Sequence, residues 1–102
     1  MNGPLYRYRF AEEVDLVQAE GTLLLATLAA QGLYGEARVR MDMAYAADRT
    51  IGVIVVDAGT DVGDAVNAIF TAFLAMEFGR GAFSVRAVAP LRGGQVGQGN
   101  GQ

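Results

Sequence analysis

The chain has 102 residues, of which 52% are hydrophobic and 19% are charged, and its formal net charge is -3. This length suits one ordinary domain, and the apolar content is too high for a disordered chain. The absence of Cys and His excludes disulfide scaffolds, zinc knuckles, thiol nucleophiles and histidine bases.

The first predicted elements are a strand and a long helix. Residues 5–10 alternate between aromatic side chains and Leu or Arg, which predicts a strand. Residues 11–31 have helical periodicity, and Gly32 is expected to end the helix. Because the helix has two apolar stripes, we expect one to pack on the sheet and the other to need a partner. The predicted core stripe is Val14, Val17, Gly21, Leu24, Leu25 and Leu28, and the predicted partner-facing stripe is Leu16, Ala19, Leu23, Ala26 and Ala30.

Two further strands are predicted in the middle of the chain. Residues 36–46 alternate between apolar and mostly charged side chains, which is typical of a strand with one polar face. Residues 47–49 are short and polar enough for a hairpin turn. Residues 50–57 are apolar on both faces, which favours a central position in the sheet.

The last predicted elements are a second helix and a fourth strand. Thr60 is the predicted N-cap of a helix that continues to about Phe78, and residues 82–88 alternate as a strand. The predicted core stripe of this helix is Val62, Val66, Ile69, Phe73 and Met76. Leu74 and Phe78 fall on its opposite side, where solvent is expected. Residues 1–90 are predicted to form one domain, and the Gly- and Gln-rich residues 91–102 are predicted to be a disordered tail.

The order of the elements predicts the fold class. The order β-α-β-β-α-β favours an α+β, ferredoxin-like sandwich, in which two helices cover one face of a four-stranded antiparallel sheet. The expected strand order is 4-1-3-2. In this arrangement the other face of the sheet is open to solvent or to a partner.

The open face of the predicted sheet collects five of the eight arginines. They are Arg7 and Arg9 on the first strand, Arg38 and Arg40 on the second, and Arg86 on the fourth. Three interpretations remain open: a solvated face, a subunit interface in which Arg meets acids of another copy, and a binding site for phosphate, carboxylate or nucleic acid. Nucleic acid is disfavoured, because the chain has no basic surplus and the third strand has no aromatic side chain.

A second candidate site is the loop that contains Asp57, Asp61 and Asp64. Their oxygens could hold Mg²⁺ or Ca²⁺, but acids in the first turn of a helix are also what capping predicts. The spacing of a calcium loop is missing. The sequence therefore predicts no metal and no cofactor.

Catalysis is disfavoured by the residue types present. The chain has no His or Lys that could activate its one serine, Ser84, and no pair of carboxylates has a spacing typical of acid–base chemistry. An alternative is a small cofactor-free enzyme of the dimeric α+β barrel type, with a pocket between the sheet and the helices. A second alternative is anion or nucleic-acid binding on the Arg-rich sheet face.

Exposed apolar residues on both helices favour a non-enzymatic module that self-associates or senses a small, anionic ligand. The predicted contact residues are Leu16, Leu23, Leu74 and Phe78, alone or together with the Arg-rich sheet face. The main partner is then a second copy of the chain. The sequence has no secretory signal and no apolar run of about 20 residues, so we expect a cytoplasmic protein without a membrane partner.

Overall fold

The structure is a computed structural model, and it describes residues 3–88. Its elements in chain order are β1 (Leu5–Phe10), α1 (Leu16–Tyr34), α2 (Glu36–Asp42), β2 (Tyr45–Asp48), β3 (Val53–Asp57), α3 (Asp61–Phe78), one 3₁₀ turn (Arg80–Ala82) and β4 (Phe83–Val88). The predicted tail, residues 91–102, lies outside the described residues. Within residues 3–88, no helix has the length and apolar character needed to cross a membrane.

The four strands form one antiparallel sheet. Its order is β2-β3-β1-β4, which is the predicted 4-1-3-2 order when it is read from the other edge. Both inner strands pair along their length, with Tyr8 opposite Ile54 on one side and opposite Val85 on the other. The described chain is therefore an α+β domain with a four-stranded antiparallel sheet and three helices.

The strand predicted over residues 36–46 is wrong, because most of this segment is helix α2. Ion pairs four residues apart, Arg40 with Glu36 and Arg38 with Asp42, stabilise a helix but have no counterpart in a strand. Val39 is buried, whereas Met41 is 82% exposed, so the alternating side chains do not share an apolar face. The second strand, β2, is shorter and begins only at Tyr45.

Helix α1 is displaced by a few residues from its predicted bounds. Asp15 caps its first turn, since the Asp15 side chain accepts a hydrogen bond from the backbone N–H of Val17 at 3.0 Å. The helix passes through Gly32 and ends at Gly35, which has a φ of 86°. Such a φ is costly for residues with a Cβ, which explains a glycine at the junction of α1 and α2.

The core lies between the sheet and one face of both long helices. Tyr8, Ile54 and Val56 from the sheet have no exposed surface. Helix α1 contributes the stripe that was predicted to face a partner, namely Leu16, Ala19, Leu23, Ala26 and Ala30. The predicted phase of α1 is therefore wrong: the stripe predicted to face a partner is in the core, and Val17, Leu24, Leu25 and Leu28 of the predicted core stripe are exposed.

The phase of α3 is also partly wrong. Val62 and Val66 are buried as predicted, but Leu74 is fully buried and Met76 is 84% exposed. Phe78 is partly buried and packs against the core. Thr60 caps the helix as predicted, because its side chain accepts a hydrogen bond from the N–H of Gly63 at 2.9 Å.

Candidate functional site

The most apolar exposed surface of the described chain is the side of α1 that points away from the sheet. We call this surface the outer stripe, and its residues are Val17, Gly21, Leu24, Leu25, Leu28 and Gly32. Its four large side chains are each 54% to 59% exposed. At 3.6 residues per turn, the stripe covers an arc of roughly 100° directly opposite the core stripe. Helix α1 is thus apolar on two opposite sides, of which the fold covers one.

The outer stripe carries no charge, and the carboxylate of Glu20 at its border is already paired. Glu20 borders the stripe and accepts hydrogen bonds from Arg49 at 2.9 Å and from the Tyr45 hydroxyl at 3.1 Å. Burial, followed by this hydrogen bond and the charge of Glu20, raises the pKa of Tyr45. These contacts tie α1 to β2 and to the turn after it. The charge of Glu20 is therefore directed toward the sheet edge.

A shallow groove extends the outer stripe toward α3. It has a volume of about 260 Å³ and is lined by Thr22, Leu25, Phe73, Met76 and Glu77. At its base, the Thr22 hydroxyl donates to Glu77 Oε1 at 2.6 Å, which joins the two helices. Met76 makes the far wall and is one of the most exposed large apolar residues described.

The open sheet face keeps three of the five predicted arginines together. Arg7 and Arg86 lie directly opposite each other on β1 and β4, and Arg9 is two residues further along β1. Arg9 is also opposite Val53 of β3, so the arginines border an apolar centre. The ion pairs formed by residues 3–88 involve Arg38, Arg40 and Arg49, and none involves these three.

The other two predicted arginines, Arg38 and Arg40, are not part of the sheet. Both lie on α2, where Arg40 pairs with Glu36 at 2.6 Å. Arg38 lies over the ring of Tyr34, 5.1 Å from its centroid, and contacts Asp42 and Asp61. Arg38 therefore joins α2 to the ends of α1 and α3. The prediction of five arginines on one face is corrected to three.

The predicted contact residues on the helices are mostly inaccessible. Leu23 and Leu74 have no exposed surface, and Leu16 is 8% exposed. Phe78 is partly buried. A second copy could not reach the first three without opening the core, so their prediction as surface residues is wrong. The exposed apolar surface instead belongs to the outer stripe.

The acidic loop after β3 is held by local hydrogen bonds. Asp57 Oδ1 accepts from the N–H of Gly59 at 2.7 Å, and Asp61 lies 3.8 Å from Arg38. No group of three potential ligands among residues 3–88 could hold a metal ion. The bond from Gly59 to Asp57 is that expected of a strand-to-helix turn, and the Asp61–Arg38 pair joins the start of α3 to α2.

An open cleft of about 610 Å³ lies at the end of the sheet, where β1 leads into α1. Its polar walls carry charges of both signs, including Arg9, Glu12, Asp15 and Arg49. The space between sheet and helices, where the enzyme alternative requires a pocket, is occupied by buried side chains such as Phe70 and those of the core described above. The cleft is therefore a feature of the rim.

A buried hydroxyl lies within the core itself. The Tyr8 hydroxyl donates to Asn67 Oδ1 at 2.7 Å and lies 3.1 Å from Thr71 Oγ1. Burial raises the pKa of Tyr8 to about 12, although the hydrogen bond with Thr71 acts in the opposite direction. A phenol held neutral in this way and fully covered is a structural group rather than an acid or base for a substrate.

No family model, no curated protein and no solved structure matches this chain.

Proposed function

We propose that this chain is a non-enzymatic assembly domain that binds a second copy of itself through the outer stripe of α1. The observation that supports this proposal most strongly is that α1 is apolar on two opposite sides while the fold covers only one of them. Four side chains, Val17, Leu24, Leu25 and Leu28, remain more than half exposed on one helix. Burying such side chains is favourable, at about 25 cal/mol per Å² of apolar surface.

The size of the surface also supports self-association. Together with Met76, the four side chains expose roughly 500 Å² of apolar surface, near the upper limit for the largest patch of a typical monomer. A standard interface buries about 800 Å² per partner. The flanking uncharged side chains Gln18 and Gln31 supply a polar rim on either side of the stripe. An apolar centre with a polar rim is the usual anatomy of an interface.

We further propose that the fold is a variant of the ferredoxin-like sandwich, with α2 added between the first helix and the second strand. The strand order and the antiparallel pairing support this assignment. Helices α1 and α3 follow β1 and β3 and share one core, as the two helices of that sandwich do. In this variant the outer surface of the helix layer is left for contacts with other chains.

The proposal is tested by placing a charge on the outer stripe. Leu28→Glu is expected to lower the solution mass to that of one chain, because a carboxylate would be desolvated at the contact. Leu33→Glu is the matched control: it makes the same substitution in the same helix, at a residue that is 73% exposed but lies outside the stripe. Mass is measured by light scattering after size exclusion, and circular dichroism checks that both variants are folded.

The outcomes of this experiment separate clearly. Loss of the oligomer in Leu28→Glu with retention in Leu33→Glu supports the proposal. An unchanged oligomer in a folded Leu28→Glu variant, or equal effects of both substitutions, would overturn the outer stripe as the contact surface.

A second candidate function is anion binding on the open sheet face, which the Arg7–Arg86 pair favours. Like charges directly opposite each other destabilise a sheet, and an anion between them removes this cost. Inorganic phosphate is expected to raise the melting temperature more than chloride does at equal ionic strength. Arg86→Ser should abolish that difference, whereas Arg80→Ser, which removes an exposed arginine of the 3₁₀ turn, should keep it. Equal effects of the two salts on the unmodified chain would contradict this candidate.

A further inference from the structure

We infer that the second copy binds antiparallel, about a two-fold axis that passes between Leu24 and Leu25 of the two α1 helices. This inference rests on the proposed self-association and adds the orientation and register of the partner. It comes from the order of large and small residues along the outer stripe, which becomes complementary to itself when one copy is reversed.

The midpoint between Leu24 and Leu25 relates each of the other two large residues of the stripe, Val17 and Leu28, to a glycine. Leu28 and Gly21 lie at equal distances on opposite sides of it, and so do Val17 and Gly32. At 1.5 Å per residue these distances are about 5 Å and about 11 Å along the helix. In an antiparallel pair, Leu28 therefore lies level with the partner's Gly21, and Val17 lies level with the partner's Gly32.

The parallel orientation lacks this complementarity. Leu28 would lie level with the partner's Leu28, and Gly21 would lie level with the partner's Gly21. Large side chains would then hold the helices apart, and the glycines would leave voids, which are costly in a packed contact. The antiparallel register instead places Val17 and Leu28 each over a glycine of the partner, and Leu24 and Leu25 meet at the axis.

The two glycines are otherwise unexplained by the fold. Both Gly21 and Gly32 have helical neighbours on each side, where glycine costs roughly 0.5–1 kcal/mol relative to alanine. A Cβ at either residue would meet no atom within 4 Å, and neither residue has the positive φ found at Gly35. The folded monomer therefore has no need for glycine at these two places, whereas a closely packed second helix does.

A second copy also fits the charge of the surface. The outer stripe is uncharged, and Glu20 at its edge is already paired with Arg49. An acidic or basic partner would find no counter-charge there. A second outer stripe is uncharged as well, and it brings the same apolar surface, so both copies bury an equal area about the two-fold axis.

Introduced cysteines test the orientation directly, because the chain has no cysteine of its own. A disulfide forms only when the two Cα atoms lie within about 7 Å. Leu24→Cys, next to the axis, is expected to give a disulfide-linked dimer on its own. Val17→Cys and Leu28→Cys, each alone, are expected to give about tenfold less disulfide-linked dimer. The Cα atoms of residue 17 in the two copies are about 22 Å apart along the helices, and those of residue 28 are about 10 Å apart. Leu33→Cys is the control outside the contact.

Mixing two variants provides the converse measurement. Leu28→Cys mixed with Gly21→Cys is expected to form the mixed disulfide, although neither variant links efficiently with itself. Efficient linking of Val17→Cys and Leu28→Cys each with itself would overturn the antiparallel register and leave the proposed self-association intact. A monomeric mass together with no linkage at Leu24→Cys would overturn self-association itself. A dimeric mass without linkage at Leu24→Cys would overturn the register and place the contact elsewhere.

Discussion

The hydroxyl of Tyr8 on the central strand β1 donates a hydrogen bond of 2.7 Å to the side-chain oxygen of Asn67 on α3. Asn67 is 2% exposed, and its amide nitrogen donates to the carbonyl oxygens of Gly63 and Asp57. One buried amide thus joins the sheet, the helix and the turn between β3 and α3. Because buried polar groups are costly when unpaired, this network fixes α3 on the sheet.

Tyr8→Phe is expected to lower the free energy of unfolding by about 1–3 kcal/mol, because it leaves the Asn67 side-chain oxygen buried without its donor. Urea denaturation gives the value. Tyr6→Phe is the control, since Tyr6 lies on the same strand and packs against the core but is only partly buried. Equal losses of unfolding free energy in the two variants would show that the Tyr8–Asn67 hydrogen bond contributes no more to stability than the hydroxyl of Tyr6 does.

Alkaline pH is expected to destabilise the fold through Tyr8. Its pKa rises from 10.0 to about 12 on folding, so the folded state binds the phenolic proton more tightly than the unfolded state does. The resulting stability is complete below pH 10 and is lost as the pH rises from about 10 to about 12. Urea denaturation across this range measures the loss. Tyr8→Phe should reduce the slope, and an unchanged slope in that variant would assign it to other groups.

Gly21→Ala is expected to have opposite effects on the monomer and on the dimer. It should raise the free energy of unfolding of the dilute, monomeric chain by about 0.5–1 kcal/mol, because alanine is the better helix former and its Cβ meets no atom. It should weaken self-association, because the same Cβ fills the depression for the partner's Leu28. Denaturation at low concentration and mass at high concentration measure the two effects. Stronger association in the variant would contradict close helix packing.

Gly63→Ala provides a contrast within the same domain. A Cβ at Gly63 would clash with the carbonyl oxygen of Asp57, so this substitution is expected to destabilise the fold by about 1–3 kcal/mol. Urea denaturation at low concentration measures the loss. A stability equal to that of the unmodified chain would show that the turn between β3 and α3 can shift to accommodate the added methyl group at little cost in free energy.

Arg86→Glu is expected to raise the free energy of unfolding by about 0.2–1 kcal/mol at low salt, because it turns a like-charge cross-strand pair with Arg7 into an ion pair. The gain should shrink as salt is added. Arg80→Glu is the control, since it makes the same change of charge away from the sheet. A gain of equal size in both variants would reflect net charge rather than the Arg7–Arg86 pair.

Three of the four strands, β1, β3 and β4, and the ends of α3 could be predicted from local patterns. The alternation over Leu5–Phe10 is specific to a strand, and Thr60 has the side chain that a helix N-cap requires. The strand order followed from the order of the elements and the usual connections between them. These features depend on near neighbours in sequence, which a single chain displays directly.

The identity of the buried stripe on α1 could not be predicted in the same way. Both stripes are apolar, and the larger leucines favour the wrong one, whereas the core uses Ala19, Ala26 and Ala30. Small residues face the core because the backbone of α1 packs closely on that of α3. The pattern that could have identified the buried side is that alanines lie on one side of α1 and leucines on the other. Similarly, alternation over residues 36–42 resembled a strand, although the acid–arginine pairs four residues apart already indicated a helix.

The measurement that tests self-association most directly is the mass of the unmodified chain in solution, over a dilution series and at low and high salt. One chain has a mass of 10.7 kDa. We expect about twice this mass at high concentration at both salt levels, falling toward one chain on dilution, because the outer stripe is uncharged. A dimer that dissociates in high salt would place the contact on the Arg-rich sheet face. A mass of one chain at every concentration would contradict self-association through α1.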